Sequence, residues 1–378
     1  MRRLRIFWTI AATAVSGAML AALWPYAREA GQLLAAQDDP VALSDIQVNS
    51  ALRNNQNVIG DETEAALKDN DSDLAKSFLD LAREKNISLP NDLTQKVSDA
   101  VVEENSSSHL ARRFASGLVT GEVSDAASLS GTVIGDLFVF GDIRDVVREG
   151  KHLVMGEDTD RLVLGLAAAG LAVTAATYVS VGGIGPVRAG LTLVKDARKV
   201  GRLGEGLTEW AGRSARGIVD TPMLQNAVAS GSALRPLQTA GAIRAAFNAE
   251  KAGALVRLAK DVGRVGEKAG ARGALDTLRI AEGPKDVARA ARLAEVRGSK
   301  TRAILKLLGR SGLLLAGAAF DLSLWVLGAL FALFSFLCSI KATAERLTQS
   351  WLDRKKARAL RKRLAAVPPA MASATANS

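Results

Sequence analysis

A chain of 378 residues, 48% hydrophobic but only 4% aromatic, is long enough for one or two domains and reads as an Ala-, Leu-, Gly- and Val-rich helical protein. A β-sandwich or barrel would want more Tyr, Phe and Thr between closely spaced turns, and the single cysteine, Cys338, excludes an intramolecular disulfide and a thiolate metal site. The net charge of +10 hides an asymmetry: residues 1–27 carry +3, residues 28–160 carry −13 and residues 161–378 carry +20, which suggests that the two halves face different surroundings.

Residues 1–27 open with Arg2, Arg3 and Arg5 and continue through about 22 mostly apolar residues, with Trp8 and Trp24 near the two ends. Arginines stay cytoplasmic and tryptophans seat in the interfacial belts, so this is an anchor crossing from inside to outside. The apolar stretch exceeds a usual signal-peptide core and no A-x-A site follows it, which favours an uncleaved span. Residues 28–125 are acidic and punctuated as helices, making an extracytoplasmic helical domain. Segments around Leu43–Leu52 and Glu62–Leu67 precede DSDLAKSFLDLAREKN, where Leu74, Phe78, Leu79, Leu81 and Ala82 share a face. Asp71 or Ser72 caps its start, and Arg83 and Lys85 suit the C-terminal end of its dipole. Pro90 breaks the chain before a further helix over Asn91 to Glu104.

Residues 126–160 hold SGTVIGDLFVFGDIRDVVREGKHLVMGEDTD, a Gly-Asp loop or interfacial segment too short and too charged for an ordinary span. Asp136 and Asp142, with Asp145, Arg144 and Arg148, invite comparison with a metal or phosphate site. Glycine turns, aspartate caps and Asp-Arg pairs account for the same residues more simply. Residues 162–185 are apolar and uncharged but built of Ala and Gly, and Gly165, Ala169 and Gly170 give a face for close helix packing, in a bilayer or in a buried hairpin. Residues 187–309 form basic amphipathic helices separated by breakers, with a stop at Gly283 and a restart at Pro284. Residues 312–340 are the longest and most aromatic apolar run, interrupted by Asp321, and form a transmembrane segment. An intramembrane carboxylate is a functional candidate, whereas a span beginning at Leu322 leaves Asp321 at the interface. In the tail, 341–378, Arg354, Lys355, Lys356, Arg358, Arg361, Lys362 and Arg363 mark a cytoplasmic flank able to touch anionic phospholipid, and the Ala-, Ser- and Pro-rich end reads as disordered.

With both termini inside and the acidic domain outside, the crossings must be even in number. Either 162–185 does not cross and everything from 28 to 309 is outside, or it crosses, 187–309 is cytoplasmic, and 312–340 folds back as a re-entrant hairpin at Asp321 or pairs with a membrane-dipping 128–141. The basic charge leans toward the second arrangement. The expected fold class is an all-α membrane protein with two or three transmembrane helices and little or no β structure.

The chain offers no H-E-x-x-H, no P-loop, no G-x-S-x-G and only two histidines, and GRLGEG at 201–206 lacks the preceding strand and third glycine of a dinucleotide loop. These patterns argue against an enzyme and name no cofactor, metal ligand or catalytic residue. No helix-turn-helix or aromatic interleaving supports nucleic-acid binding.

The run GDLFVFGDIRDVVREGKHLVMGEDTDRLVLGLAAAG, with KTRAILKLLGRSGLLL further on, resembles bacterial inner-membrane proteins of proteobacterial type and of unknown function. The Gly-Asp loop followed by a small-residue hydrophobic hairpin also resembles the pre-toxin regions of polymorphic toxins. The resemblance implies a bacterial inner-membrane setting and carries over no functional residue. The expectation is a non-enzymatic scaffold or interaction protein of the cell envelope, binding the bilayer, anionic phospholipid and protein partners or a second copy of itself. The alternative is a transport or pore component with Asp321 and Asp136 in a polar membrane path.

Overall fold

The computed structural model describes residues 2–104, 185–215, 248–315 and 318–365, with scattered positions between 145 and 170 and between 218 and 226. Among these residues every regular element is helical. The chain divides into two compact units, one made of residues 1–35 and 317–378, the other of residues 36–316.

The first unit is a pair of long helices, α1 (Arg2–Ala35) and, at the far end of the chain, α11 (Ala318–Ala365). Both are long and apolar enough to cross a membrane, α11 with a mean hydropathy of 2.1 and α1 of 1.5 over their apolar windows. α1 runs eight residues beyond the expected end of the anchor at residue 27 and carries Pro25 within it. α11 likewise passes the expected boundary at 340 without a break, because no Gly or Pro interrupts the chain between Ala329 and Ala365. Its start also differs from expectation. Leu313, counted at first in the apolar run 312–340, is fully buried in the core of the other unit, and the helix begins only at Ala318.

The second unit begins with four helices, α2 (Pro40–Asn54), α3 (Val58–Lys68), α4 (Ser72–Glu84) and α5 (Asn91–Glu104). Their ends follow from local chemistry. The Asp39 carboxylate accepts the Val41 N–H at 2.9 Å, with Pro40 in the first turn, and the Asp71 carboxylate accepts the Leu74 N–H at 3.1 Å. α3 and α4 both end on an asparagine in the left-handed region, Asn70 (φ 54°) and Asn86 (φ 55°). That conformation lets the next amide reach back to Ala66 O and Ala82 O, each at 2.9 Å. α4 buries the five residues expected on its apolar face.

After the sparsely described stretch follow α6 (Gly185–Lys199), α7 (Glu205–Ala215), α8 (Ala249–Ile280), α9 (Pro284–Arg297) and α10 (Thr301–Leu308). α8 is two helical pieces joined at Gly270, whose φ of 79° a side chain would strain. α9 starts at the expected Gly283–Pro284 joint. α6 and α8 cross backbone against backbone: a Cβ on Gly190 would lie 1.7 Å from Ala259 O, and one on Gly263 would lie 1.8 Å from Pro186 O. Only glycine fits at these two positions.

One hydrophobic cluster joins the acidic and the basic helices. Val48, Ile59, Phe78 and Leu81 share it with Leu255, Leu258, Val262, Leu278, Val287, Leu293 and Ile304. The charge asymmetry suggests different surroundings for the two halves; in the fold their helices share one core. The same cluster contains Leu162, Leu166 and Ala169, so the described part of 162–185 is packed into the unit rather than offered to lipid.

Candidate functional site

Three places among the described residues concentrate polar chemistry in apolar surroundings: the seam of the helix pair, the interface between acidic and basic helices, and the contacts of Arg289. In the seam, α1 and α11 run antiparallel. Thr13 Oγ1 lies 3.1 Å from Thr343 Oγ1, and Ser16 Oγ lies 3.2 Å from Ser339 Oγ. A Cβ on Gly17 would stand 3.0 Å from the Phe336 ring, and Ala329 and Ala332 are buried in the contact. Tyr26 stacks on Trp325 with centroids 5.2 Å apart and planes 28° apart. Three of the four hydroxyls donate to their own helix, Thr13 to Thr9 O, Ser16 to Ala12 O and Ser339 to Phe336 O, all at 2.8 Å. Small residues and self-satisfied hydroxyls are what close helix packing in hydrocarbon requires.

The outer faces of the pair are of the opposite kind. Phe7, Trp8, Val15, Phe320, Phe331 and Phe334 are each about two-thirds exposed, with Met19, Leu327, Leu330 and Leu337 more than half exposed. Large apolar side chains are thus exposed along both helices of the pair.

The second place is a network of ion pairs. Arg302, only 4% exposed, donates Nη1 and Nη2 to the two oxygens of Asp71 at 2.8 and 2.7 Å, and its Nε to Asp276 at 3.0 Å. Arg272 reaches Asp71 at 3.2 Å and Glu104 at 2.8 Å, and Ser72 Oγ also donates to Glu104. A parallel set joins Arg297 to Glu84 and Asp45, and Lys300 to Glu84. Burial alone would raise the Asp71 carboxyl, but the Arg302 hydrogen bonds and charge, with the Leu74 N–H and Arg272, outweigh it and hold the group below its ordinary 3.8. Burial likewise opposes ionisation of Glu84, and the Lys300 hydrogen bond with the Arg297 charge lowers it below 4.5. Arg302 is held above its ordinary value: burial disfavours its charge, and Asp71 and Asp276 more than restore it.

Arg289 makes a third polar knot where the unit's two ends meet. Its Nη1 donates to Gln37 O at 2.8 Å and Leu313 O at 3.1 Å, while Nη2 stands 3.6 Å from Asp38. Gln47 Nε2 adds a bond to Ser311 O at 2.8 Å. One guanidinium thus ties together the segments that lead out of α1 and into α11.

The residues singled out from sequence scatter across these places. Asp321 is exposed in the first turn of α11, where a carboxylate complements the helix dipole. Asp136 and Asp142 lie outside the described residues. Arg354, Lys355, Lys356, Arg358, Arg361 and Lys362 are exposed along the last turns of α11, Lys355 resting 5.1 Å from the Trp351 ring centroid, and Arg363 continues the helix. Gly165, Ala169 and Gly170 are buried within residues 36–316; a Cβ on Gly165 would be 2.9 Å from Ala215 Cβ. Asp145 is buried against Lys195 at 3.4 Å, with Arg148 and Lys199 at 3.8 and 3.9 Å. GRLGEG stops a helix and packs closely. Gly201 (φ 67°) closes α6, and a Cβ on Gly204 would meet Ala281 O at 2.3 Å. Beside it lies a groove of ≈ 410 Å³ whose charged lining is Glu205, Glu209, Glu282 and Arg279. Among the described residues no group of three or more His, Cys, Asp or Glu is placed to hold a metal ion.

Sequence reasoning missed the seam, although Thr9, Thr13 and Ser16, and Ser335, Ser339 and Thr343, recur at helical spacing within otherwise apolar runs. It missed the ion-pair network for a different reason, since its members are separated by up to 252 positions. The chain matches no family model, and comparison with curated proteins and with solved structures returns no match either.

Proposed function

We propose that this protein is a membrane-tethered helical scaffold: α1 and α11 form a two-span anchor, and residues 36–316 present a folded helical unit to protein partners. The observation that carries the reading is the antiparallel pair itself, polar and small at its seam and aromatic and aliphatic on its outer faces. Because the pair is antiparallel, the start of α1 and the end of α11 point the same way. Arg2, Arg3 and Arg5 and the basic end of α11 favour the cytoplasmic side for the termini, where the tail meets anionic headgroups. Residues 36–316 then lie outside the cytoplasm. The bacterial inner membrane is the setting that the resemblance of the sequence suggests. A scaffold is preferred to a pore because the seam is closed by small residues and by hydroxyls that donate to backbone carbonyls of their own helices.

The test is sided labelling in a Cys338→Ala background with a membrane-impermeant thiol reagent on intact spheroplasts. Cysteine replaces Lys285, exposed on α9, or Lys356, exposed on α11. Labelling of the Lys285→Cys protein, with the Lys356→Cys protein labelled only after permeabilisation, is the expected result. The reverse pattern would overturn the orientation, and release of the protein by alkaline carbonate would overturn the anchor.

A further inference from the structure

We propose that the folded unit of residues 36–316 rests on the bilayer through one side of α9, where Lys285 and Arg292, with Lys306 of α10, take the headgroups of anionic phospholipid. The proposal rests on the membrane reading above and adds to it which surface of the unit meets lipid, and which lipid it selects. Arg289 marks the place. Its guanidinium donates to Gln37 O at 2.8 Å and to Leu313 O at 3.1 Å, so the segments that continue into α1 and α11 both leave the unit beside it. Chain length keeps this corner close to the membrane. Only residues 36–39 separate α1 from α2, and only residues 314–317 separate Leu313 from α11. Either bridge, fully extended, spans at most about 18 Å.

At helical spacing Lys285, Arg289, Arg292 and Val296 share one side of α9, opposite the buried Val287, Ala290 and Ala294. Lys285 and Arg292 are exposed and stand about 10 Å apart along the helix, with Arg289 between them. Lys306, also exposed, precedes Leu313 on the way to the same exit. The acids of this corner are engaged elsewhere: Asp39 accepts the Val41 N–H, Glu282 and Asp286 hold Arg310, and Asp38 stands 3.6 Å from Arg289. Lys285, Arg292 and Lys306 have no acid among the described residues as partner. In this they differ from Arg272, Arg297 and Arg302, which acids of the same unit hold. Cations kept within a Debye length of an anionic surface are drawn to it, and phosphate suits both the guanidinium fork and the ammonium. The stripe on α9 carries one apolar side chain, Val296, so its contact is with headgroups and not with hydrocarbon.

The test reconstitutes the full chain, in a Cys338→Ala background with a fluorophore on Val296→Cys, into vesicles that also carry a little lipid with a nitroxide on its headgroup. Val296 is 64% exposed, so the fluorophore leaves the cations in place. Quenching is expected to rise several-fold when roughly one-third of the phosphatidylcholine is replaced by phosphatidylglycerol, and to fall back at about 1 M salt. Lys285→Gln with Arg292→Gln and Lys306→Gln is expected to return it to the level of phosphatidylcholine alone. Lys251→Gln with Arg257→Gln and Lys260→Gln, which removes as many exposed cations from α8, is expected to leave it unchanged. Quenching indifferent to phosphatidylglycerol, or lowered alike by the two triple variants, would overturn the proposal. So would stronger quenching of a fluorophore on Lys96→Cys, exposed on α5, since another face would then be the one on the lipid. Release of the protein from both kinds of vesicle by alkaline carbonate would instead sink the membrane reading itself, an outcome distinct from anchored protein whose unit stands clear of the headgroups.

Discussion

Truncating Arg302 tests whether the charge network or the apolar core decides how the acidic helices are held. Arg302→Ala removes the paired bonds to Asp71 and the bond to Asp276, leaving two carboxylates facing each other across the space the guanidinium filled. Breaking a buried ion pair from one side costs about 3–5 kcal/mol. Asp71 and Asp276 keep 23% and 26% of their side-chain surface exposed, and Arg272 still reaches Asp71, so about 3 kcal/mol is expected. For a unit of this size that is a fall in melting temperature of roughly 5 °C. The pH dependence separates charge from packing. Asp71 is held below 3.8 in the fold, so the stability it contributes is present above that value and lost as pH falls through the lower, folded value. The deficit of the variant is therefore large at neutral pH and shrinks once Asp71 is protonated in both proteins. Urea unfolding followed by circular dichroism, with the full chain in detergent at neutral pH and at a descending series of pH values below 3.8, reads both effects. A deficit that stays constant down to acid unfolding of the wild type would mean that the arginine stem matters and its charge does not. No deficit at neutral pH would mean that the network is solvated in solution.

Gly190→Ala should destabilise the protein by about 3 kcal/mol or more, because the new methyl would overlap Ala259 O and α6 cannot move without parting from Gly263; urea midpoints of the two proteins measure it. The Thr13→Cys/Thr343→Cys protein in the Cys338→Ala background should oxidise to an intramolecular disulfide visible as a faster band on non-reducing gels, whereas Thr13→Cys with Ser323→Cys, at opposite ends of the seam, should not. Arg289→Ala should speed protease cleavage between residues 36 and 40 several-fold while leaving the circular dichroism of the protein unchanged, since it frees the segments at both ends of the unit without touching its core. The wild-type protein should lose stability as pH falls below about 4.5, where Glu84 and then Asp71 begin to bind protons in the unfolded chain but not yet in the fold, and acid titration by circular dichroism will show the onset.

What could be read from the sequence is what depends on neighbours in sequence. The face of α4, its Asp71 cap and the Gly283–Pro284 joint are fixed within a few residues, and each is found where periodicity and capping chemistry put it. The apolar content of the two long helices is local too, although their ends are not. α11 runs straight through Lys341, where hydropathy alone stops, since nothing in the local chemistry breaks a helix there. The run at Gly312 is divided because Leu313 finds a core to enter, which no property of Leu313 itself discloses.

The larger difference concerns charge. An excess of 13 negative charges in one half of a chain and of 20 positive charges in the other has two physical resolutions: different surroundings for each half, or each half as the counter-charge of the other. Net charge cannot separate them, because both place the like charges apart. Local positions do so only in hindsight. Asp71 caps its own helix and would be expected to be satisfied there, yet its second oxygen receives Arg302 from 231 residues away. Arg272, Arg297, Lys300 and Arg302 are committed to Asp45 of α2, to Glu84 and the Asp71 cap of α4, and to Glu104 of α5, with Arg302 also holding Asp276 of α8. Arg354, Lys355, Lys356, Arg358, Arg361 and Lys362 on the last turns of α11 are exposed, as are Lys251, Arg257, Lys260, Lys285, Arg292 and Lys306 on α8, α9 and α10. The charge asymmetry of the chain is therefore in part an internal association, in which cations of the second half neutralise acids of the first across a shared core.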